Sequence, residues 1–485
     1  MDDDGSLTPR QRRQLSRKPS DTLIVATLAG TGLIAAFMQT LVTPILPELP
    51  QLLDSNAADT SWVLTSTLLA AAISTPISGR LGDMYGKRRI LLALLLIMTA
   101  GSIVAALSNT VVPMIIGRSL EGIGLGVISL GISVLRDVIH PKNLGAAVAL
   151  VSATLGIGGA VGLPVAAVIA QNFSWHYLFW LATALTVLAF LAVLFIVPPS
   201  TLRSAGRFDF VGAVGLAVGL VGILLAVSKG NVWGWGSPLT LGLLIGGFVV
   251  LLLWGWFELR TPHALIDLRV AARRPVLLTN LASISVGFAF FIVSGSMPIL
   301  LQASPQTGVA FGLPLLVASL CLMPLGLVMF FTSPLAARLS NRRGPRVSLI
   351  LGAGIIAVTF ALGTVLNTEV WHVILISTLV GFGVGFAYAA MPTLIMNAVP
   401  PGETAAANGL NSVMRTLGST VSATIVGVIM STHVAFAGEV AIPTHEAFRL
   451  VFIIGAGVAV VGVIIAFFIP RRSSYNDTAS IPVVG

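Results

Sequence analysis

Gly79-Arg80-Leu81-Gly82-Asp83-Met84-Tyr85-Gly86-Lys87-Arg88 follows one apolar stretch, near residues 60–80, and leads into another near 88–107. Its three glycines permit a tight, close-packed connection. Asp83 is suited to accept hydrogen bonds or to sit at the positive end of a neighbouring helix, and Arg88 and Arg89 place positive charge at the edge. A second version, Ala337-Arg338-Leu339-Ser340-Asn341-Arg342-Arg343-Gly344-Pro345-Arg346, occurs later, with Arg80/Arg338, Leu81/Leu339, Gly86/Gly344 and Arg88/Arg346 coinciding. Two such connections imply two related halves, the architecture of carriers that expose a central site to alternate sides of a membrane.

Outward from these turns the chain is mostly apolar. Hydrophobic residues make up 56% of its 485 positions and charged residues 9%, against roughly 25% charged in an ordinary soluble protein. So little polar side chain cannot cover a surface that faces water, so the solvent is lipid. A spanning helix takes about 20 apolar residues. Runs of that length lie near 22–46, 60–80, 88–107, 111–135, 144–170 and 175–198, then near 209–228 and 238–258. Six more lie near 276–302, 311–336, 346–366, 370–397, 404–431 and 448–470. The reading is an all-α membrane protein of fourteen helices. A basic tail (1–20) precedes a six-helix bundle (21–198), two extra helices with their linkers (199–275), a second six-helix bundle (276–470) and a short tail (471–485). The first run is too long for a signal-peptide core and lacks a small-residue cleavage site.

The loop charges check this count. With the N-terminus inside, 23 Lys and Arg fall in cytoplasmic loops and tails, including Arg10, Arg12, Arg13, Arg17 and Lys18. Only Lys229 and Arg449 fall outside, and Arg118 and Arg415 lie within helices. That bias is the positive-inside pattern and points to both termini in the cytoplasm; the membrane expected to hold the protein is the plasma (inner) membrane. The net charge of +9 therefore marks topology and anionic lipid headgroups rather than nucleic acid. The lone Cys321 lies in an apolar segment and has no partner for a disulfide. No nucleotide-binding loop, nucleophile–base arrangement or metal cluster appears, so the expectation is a non-enzyme without cofactor or metal. His433, Glu439, His445 and Glu446 in the last outer loop read as a solvated loop, their spacing fitting no ligand set.

The turn at 79–88 resembles the Gly-x-Leu-Gly-Asp-x-x-Gly-basic-basic motif of the major facilitator superfamily. Four further stretches resemble its fourteen-helix drug/proton antiporter branch. They are Arg118-Ser-Leu-Glu121-Gly122-Ile-Gly124, Ser174-Trp175-His176-Tyr177-Leu178-Phe179, the segment from Phe257-Glu258-Leu259-Arg260 to Leu265-Ile266-Asp267-Leu268, and Val399-Pro400 through Asn408-Gly409-Leu410-Asn411-Ser412-Val413-Met414-Arg415-Thr416-Leu417-Gly418. The resemblance covers nearly the whole chain. It implies a cytoplasmic latch built from Gly79, Asp83, Gly86, Arg88, Arg89 and Asp137, and a cavity lined by the first and fourth helices of each six. Cavity candidates on those helices are Met38, Gln39, Thr40, Asn280, Phe288, Phe291, Ser294 and Tyr388, an apolar set suited to lipophilic cargo. The fifth-helix antiporter motif survives as Gly158-Gly-Ala-Val-Gly162-Leu163-Pro164, with Pro164 one place late; Gly158 and Gly162 still allow close helix packing.

Ionisable residues inside a membrane are costly and point to function. Arg118 and Glu121, three apart, share a helical face. Met38 stands where the branch carries aspartate, and Glu121 where it carries glutamine. The exchange points to a proton-coupling carboxylate moved to the fourth helix, with Arg118 as its counter-charge; a static ion pair is the other reading. Arg415 is assigned to helix packing, or to an anionic substrate. The function expected is proton-driven export of small lipophilic compounds by a monomer. An uptake symporter or facilitator of the same fold, a lipid-handling carrier and a membrane receptor remain open.

Overall fold

The computed structural model describes residues 20–470 apart from 47, 200–206, 263, 304–308 and 438–439. The basic residues of both tails, Arg203, Pro47 and Glu439 lie outside the described residues. Fourteen helices among the described residues are long and apolar enough to cross a membrane. The first six are α1 (Asp21–Ile45), α2 (Trp62–Tyr85), α3 (Lys87–Ala106), α4 (Val111–Val138), α5 (Lys142–Asn172) and α6 (His176–Ile196). The extra pair is α7 (Phe210–Gly230) and α8 (Pro238–Glu258), and the last six are α9 (Arg274–Gln302), α10 (Leu315–Arg343), α11 (Pro345–Gly363), α12 (Val370–Ala398), α13 (Pro401–Thr432) and α14 (His445–Phe467). Side-chain caps open several of them. Asp209 accepts from Gly212 N at 2.7 Å, Ser237 from Thr240 N at 3.2 Å and Thr444 from Ala447 N at 3.3 Å, each satisfying a donor that the first turn leaves free.

Two apolar cores form. One gathers Leu28, Leu95, Leu130, Val151 and Phe179 from α1 to α6, and the other Phe288, Met329, Phe360, Val384 and Phe452 from α9 to α14. The halves meet along two seams. On one, α5 lies against α10 so closely that a Cβ on Gly326 would collide with the Gly156 carbonyl. On the other, α2 crosses α13. The extra helix α7 lies over this second seam: Leu216, Leu220 and Leu224 pack with Ala72 and Val413, and Thr424 Oγ1 donates to Val227 O at 3.0 Å. Helix α8 touches chiefly α7 and turns Ile245, Phe248, Leu252 and Trp256 outward. That face is too apolar for water and suits lipid.

The segment 79–88 is not an irregular loop. Helix α2 continues through Gly79 and Gly82 to Tyr85, and α3 begins at Lys87. Only Gly86 breaks the run, at φ 104°, a conformation that side chains other than glycine's rarely adopt. Gly344, its counterpart between α10 and α11, repeats the device at φ 88°. Lys229 is likewise not in a loop. It lies in the last turns of a helix that reaches Trp233, is 3% exposed, donates to Ser61 Oγ and stands 4.7 Å over the Trp62 ring. The last outer loop holds an antiparallel hairpin, β1 (Val434–Ala437) with β2 (Val440–Pro443), which the sequence reading left unstructured.

Candidate functional site: a latch, a buried ion pair and a cavity between the halves

The charged loops gather at one end of the molecule, here termed the basic end, where the halves are joined by polar contacts. Asp83 closes α2 there and reaches across to α13. Its carboxylate accepts from the backbone N–H groups of Ala405 (3.1 Å) and Ala406 (3.0 Å). These are first-turn donors with no partner inside their own helix, and the helix dipole adds to the attraction. The approach depends on Gly79, where a Cβ would stand 2.5 Å from the Ala405 carbonyl oxygen. Lys87, absent from the residues singled out in the sequence, is the centre of the arrangement. Its side chain is 0% exposed, lies 3.7 Å from Asp83, and donates to Asp137 at 2.8 and 3.0 Å and to Thr404 Oγ1 at 3.2 Å. One cation thus ties α2, α3, α4 and α13 together. Arg136 adds a bond to the Val399 carbonyl at 3.3 Å.

Two expected latch residues sit elsewhere. Arg88 donates to the Leu194 carbonyl at 2.5 Å, which anchors α6 within the same half, and Arg89 is exposed. Neither reaches the second half.

Within α4, nearer Val111 than the basic end, Arg118 and Glu121 form an ion pair, each residue 1% exposed. Arg118 also donates to the Met38 carbonyl at 3.3 Å, and Ser102 Oγ donates to Glu121 Oε1 at 2.7 Å. The pair therefore joins α4 to α1 and α3, inside the first half and behind the cavity wall. The fourth helix is interrupted just beyond it, at Leu125–Gly126.

Between the halves lies a cavity of about 380 Å³. Gln39, Phe291, Ser294 and Tyr388 line it. Met38 and Phe288 are instead buried in the cores, Thr40 bonds its own helix at Phe37 O, and Asn280 accepts from Asn411 Nδ2 at 3.0 Å. These four are not among the lining residues. The wall also includes Leu68, Thr75, Val227, Ser228 and a strip of α13 from Ser412 to Thr424. The α2, α7 and α13 contributions escaped the sequence reading because nothing in the residues shows that α7 closes the seam. The π-helical turn Ile292–Ser296 in α9 bends Ser294 onto the wall. Pro298 lies four residues beyond Ser294, has no N–H for that carbonyl and crowds it, so the turn widens. Gly158 and Gly162 pack α5 onto α1, a Cβ on Gly158 falling 2.6 Å from Leu33 O, and Pro164 lies inside α5 on the same stretch. Arg415, assigned to packing, has its side chain in the cavity wall.

A pair of helical bundles with a cavity between them, closed at one end by an acid-to-helix contact, defines the class of alternating-access carrier. The profile of the Major Facilitator Superfamily matches residues 28–423 and 281–482, and the chain belongs to that family. Among curated relatives, the lincomycin resistance protein LmrB of Listeria innocua is 26% identical over 92% of this chain and 96% of its own length. The putative multidrug resistance protein MdtD of Salmonella paratyphi A is 27% identical over 92% and 95%, and multidrug resistance protein 3 of Bacillus subtilis 25% identical over 76% and 72%. Among solved structures, the human organic anion transporter MFSD10 (TETRAN) superposes with a TM-score of 0.65 at 14% identity, over 93% of this chain and all of the other, a likeness of fold.

Proposed function

We propose that the protein exports small lipophilic compounds by alternating access, driven by the proton gradient across the plasma membrane. One observation carries the reading: the cavity between the halves is sealed at the basic end by Asp83 on the first turn of α13. The positive-inside pattern assigns that end to the cytoplasm, so this arrangement is the one that releases cargo outward. The apolar part of the wall, Leu68, Ile128, Leu155, Phe290 and Phe291, suits the body of a lipophilic molecule, and the hydroxyl row of α13 its polar groups; relatives named for drug resistance support export. For the coupling step, Glu121 is the carboxylate buried within α4. Burial penalises its charge and Arg118 favours it, so a change in the separation of α1, α3 and α4 shifts the balance and takes up or releases a proton. The test is accumulation of a panel of lipophilic dyes and drugs in cells with and without the protein, repeated after collapse of the proton gradient. Lower accumulation that depends on the gradient is expected; equal accumulation with and without the protein contradicts export.

A further inference from the structure

Arg415 is a cation whose surroundings lack an anion. It sits midway along α13 and forms part of the cavity wall. Among the basic side chains buried in the scaffold, Lys87 is neutralised by Asp137 and Arg118 by Glu121, while Lys229, on α7, donates to Ser61 Oγ and lies over the Trp62 ring. Arg415 forms no ion pair among the described residues, and no Asp or Glu lines the cavity. Its partners are neutral. Nη1 donates to Asn411 Oδ1 at 3.3 Å, Nη2 to Ser412 Oγ at 3.0 Å, and the guanidinium lies 4.8 Å from the centre of the Tyr388 ring.

These contacts aim the group without discharging it. Ser412 is itself held by Ser129 across the seam, Oγ to Oγ 2.9 Å. Beneath Arg415 the backbone is clamped, because Gly287 of α9 leaves no room for a Cβ against the Arg415 carbonyl. A guanidinium has five N–H donors, and two are used, so three remain for a ligand. In a cavity that mixes Leu68, Ile128, Leu155, Phe290 and Val413 with uncharged hydroxyl and amide side chains, an uncompensated fixed charge attracts an oxyanion and repels a cation more strongly than it would in water. Its planar fork matches carboxylate and sulfonate oxygens in pairs.

We propose that the cavity selects amphiphilic organic acids, with Arg415 holding the carboxylate or sulfonate group and the apolar wall holding the body. The proposal rests on reading the cavity as the cargo site. A matched pair of dyes tests it: 8-anilinonaphthalene-1-sulfonate and 1-anilinonaphthalene, which differ by the sulfonate, with ethidium as a cation. Gradient-driven uptake into vesicles containing the full-length protein is compared with uptake into protein-free vesicles. The wild type is expected to favour the sulfonate over ethidium by tenfold or more. Arg415→Gln is expected to raise KM for the sulfonate at least tenfold while changing that of the neutral dye less than threefold. Arg415→Lys keeps the charge, loses the fork, and is expected to fall between; should Arg415→Gln not insert, this variant decides by the same comparison of the two dyes. Uptake of ethidium or the neutral dye without the sulfonate overturns the proposal and leaves the exporter reading standing. Equal losses for both dyes in the variants also overturn it, making Arg415 a packing residue. Uptake of none of the three contradicts proposal and exporter reading together.

Discussion

Asp83 is the residue on which closure of the basic end depends most. A carboxylate on two free N–H groups of a helix start gives charge-assisted bonds, worth roughly 0.3–2 kcal/mol in comparable settings. Asp83→Asn keeps the size and loses the charge, and it removes one of two acids around Lys87. Transport is expected to fall severalfold with normal membrane insertion, measured as uptake per inserted protein; full activity would show that the contact is only a cap. Glu121 poses a different question, because its partners Arg118 and Ser102 lie within one half. Glu121→Gln is expected to abolish gradient-driven uptake while cargo binding survives. It also leaves Arg118 unpaired, and breaking a buried pair costs about 3–5 kcal/mol, so thermal stability must be followed alongside. If Met38→Asp added to Glu121→Gln restores coupling, the carboxylate is the working group. Uphill uptake with an unchanged pH dependence in Glu121→Gln alone identifies a structural pair instead. The Arg118–Glu121 contact was legible in the sequence because a spacing of three fixes it. The Lys87 hub was not, because its partners Asp137 and Thr404 come from distant parts of the chain.

At the scale of the element, the spans were legible and their joints were not. Apolar runs locate helices well because lipid demands them, whereas the end of a helix depends on a single residue such as Gly86 or Gly344. The motif at 79–88 was read as a turn containing three glycines. In the fold, Gly79 and Gly82 are helical, and Gly79 serves the approach of α2 to α13. Its replacement is therefore expected to act on the seam rather than on the turn. Overpacking of a close contact typically costs about 1–3 kcal/mol, so Gly79→Leu is expected to slow transport about fivefold or more. Gly30→Leu is the control, since nothing lies within 4 Å of a Cβ there, and it is expected to retain most activity. Equal effects of the two changes would remove the seam from the account. The cavity was read only in part for a related reason. The family resemblance, through the first and fourth helices of each six, points to Gln39, Phe291, Ser294 and Tyr388, which do line the wall, but α7 enters it through Val227 and Ser228, and which helix an extra pair leans on is a property of packing.

In the whole molecule the basic end is shut, and the halves must part there for the cavity to fill from that side. The charge pattern requires residues 231–237, where α7 gives way to α8, and residues 339–345, where α10 ends at Gly344, to lie on opposite sides of the membrane. Single cysteines placed in each are expected to react with an impermeant reagent from opposite sides, and labelling from one side would undo the fourteen-helix topology. The movement itself has a more direct test. Ser129 of α4 and Ser412 of α13 meet across the halves with their Oγ atoms 2.9 Å apart, which makes the pair the natural place for a cross-link between the halves. With Cys321 changed to serine, Ser129→Cys with Ser412→Cys is expected to transport when reduced, to stop when oxidised, and to recover on reduction. Undiminished transport with the disulfide fully formed would show that the halves do not separate there, and would contradict alternating access through this seam.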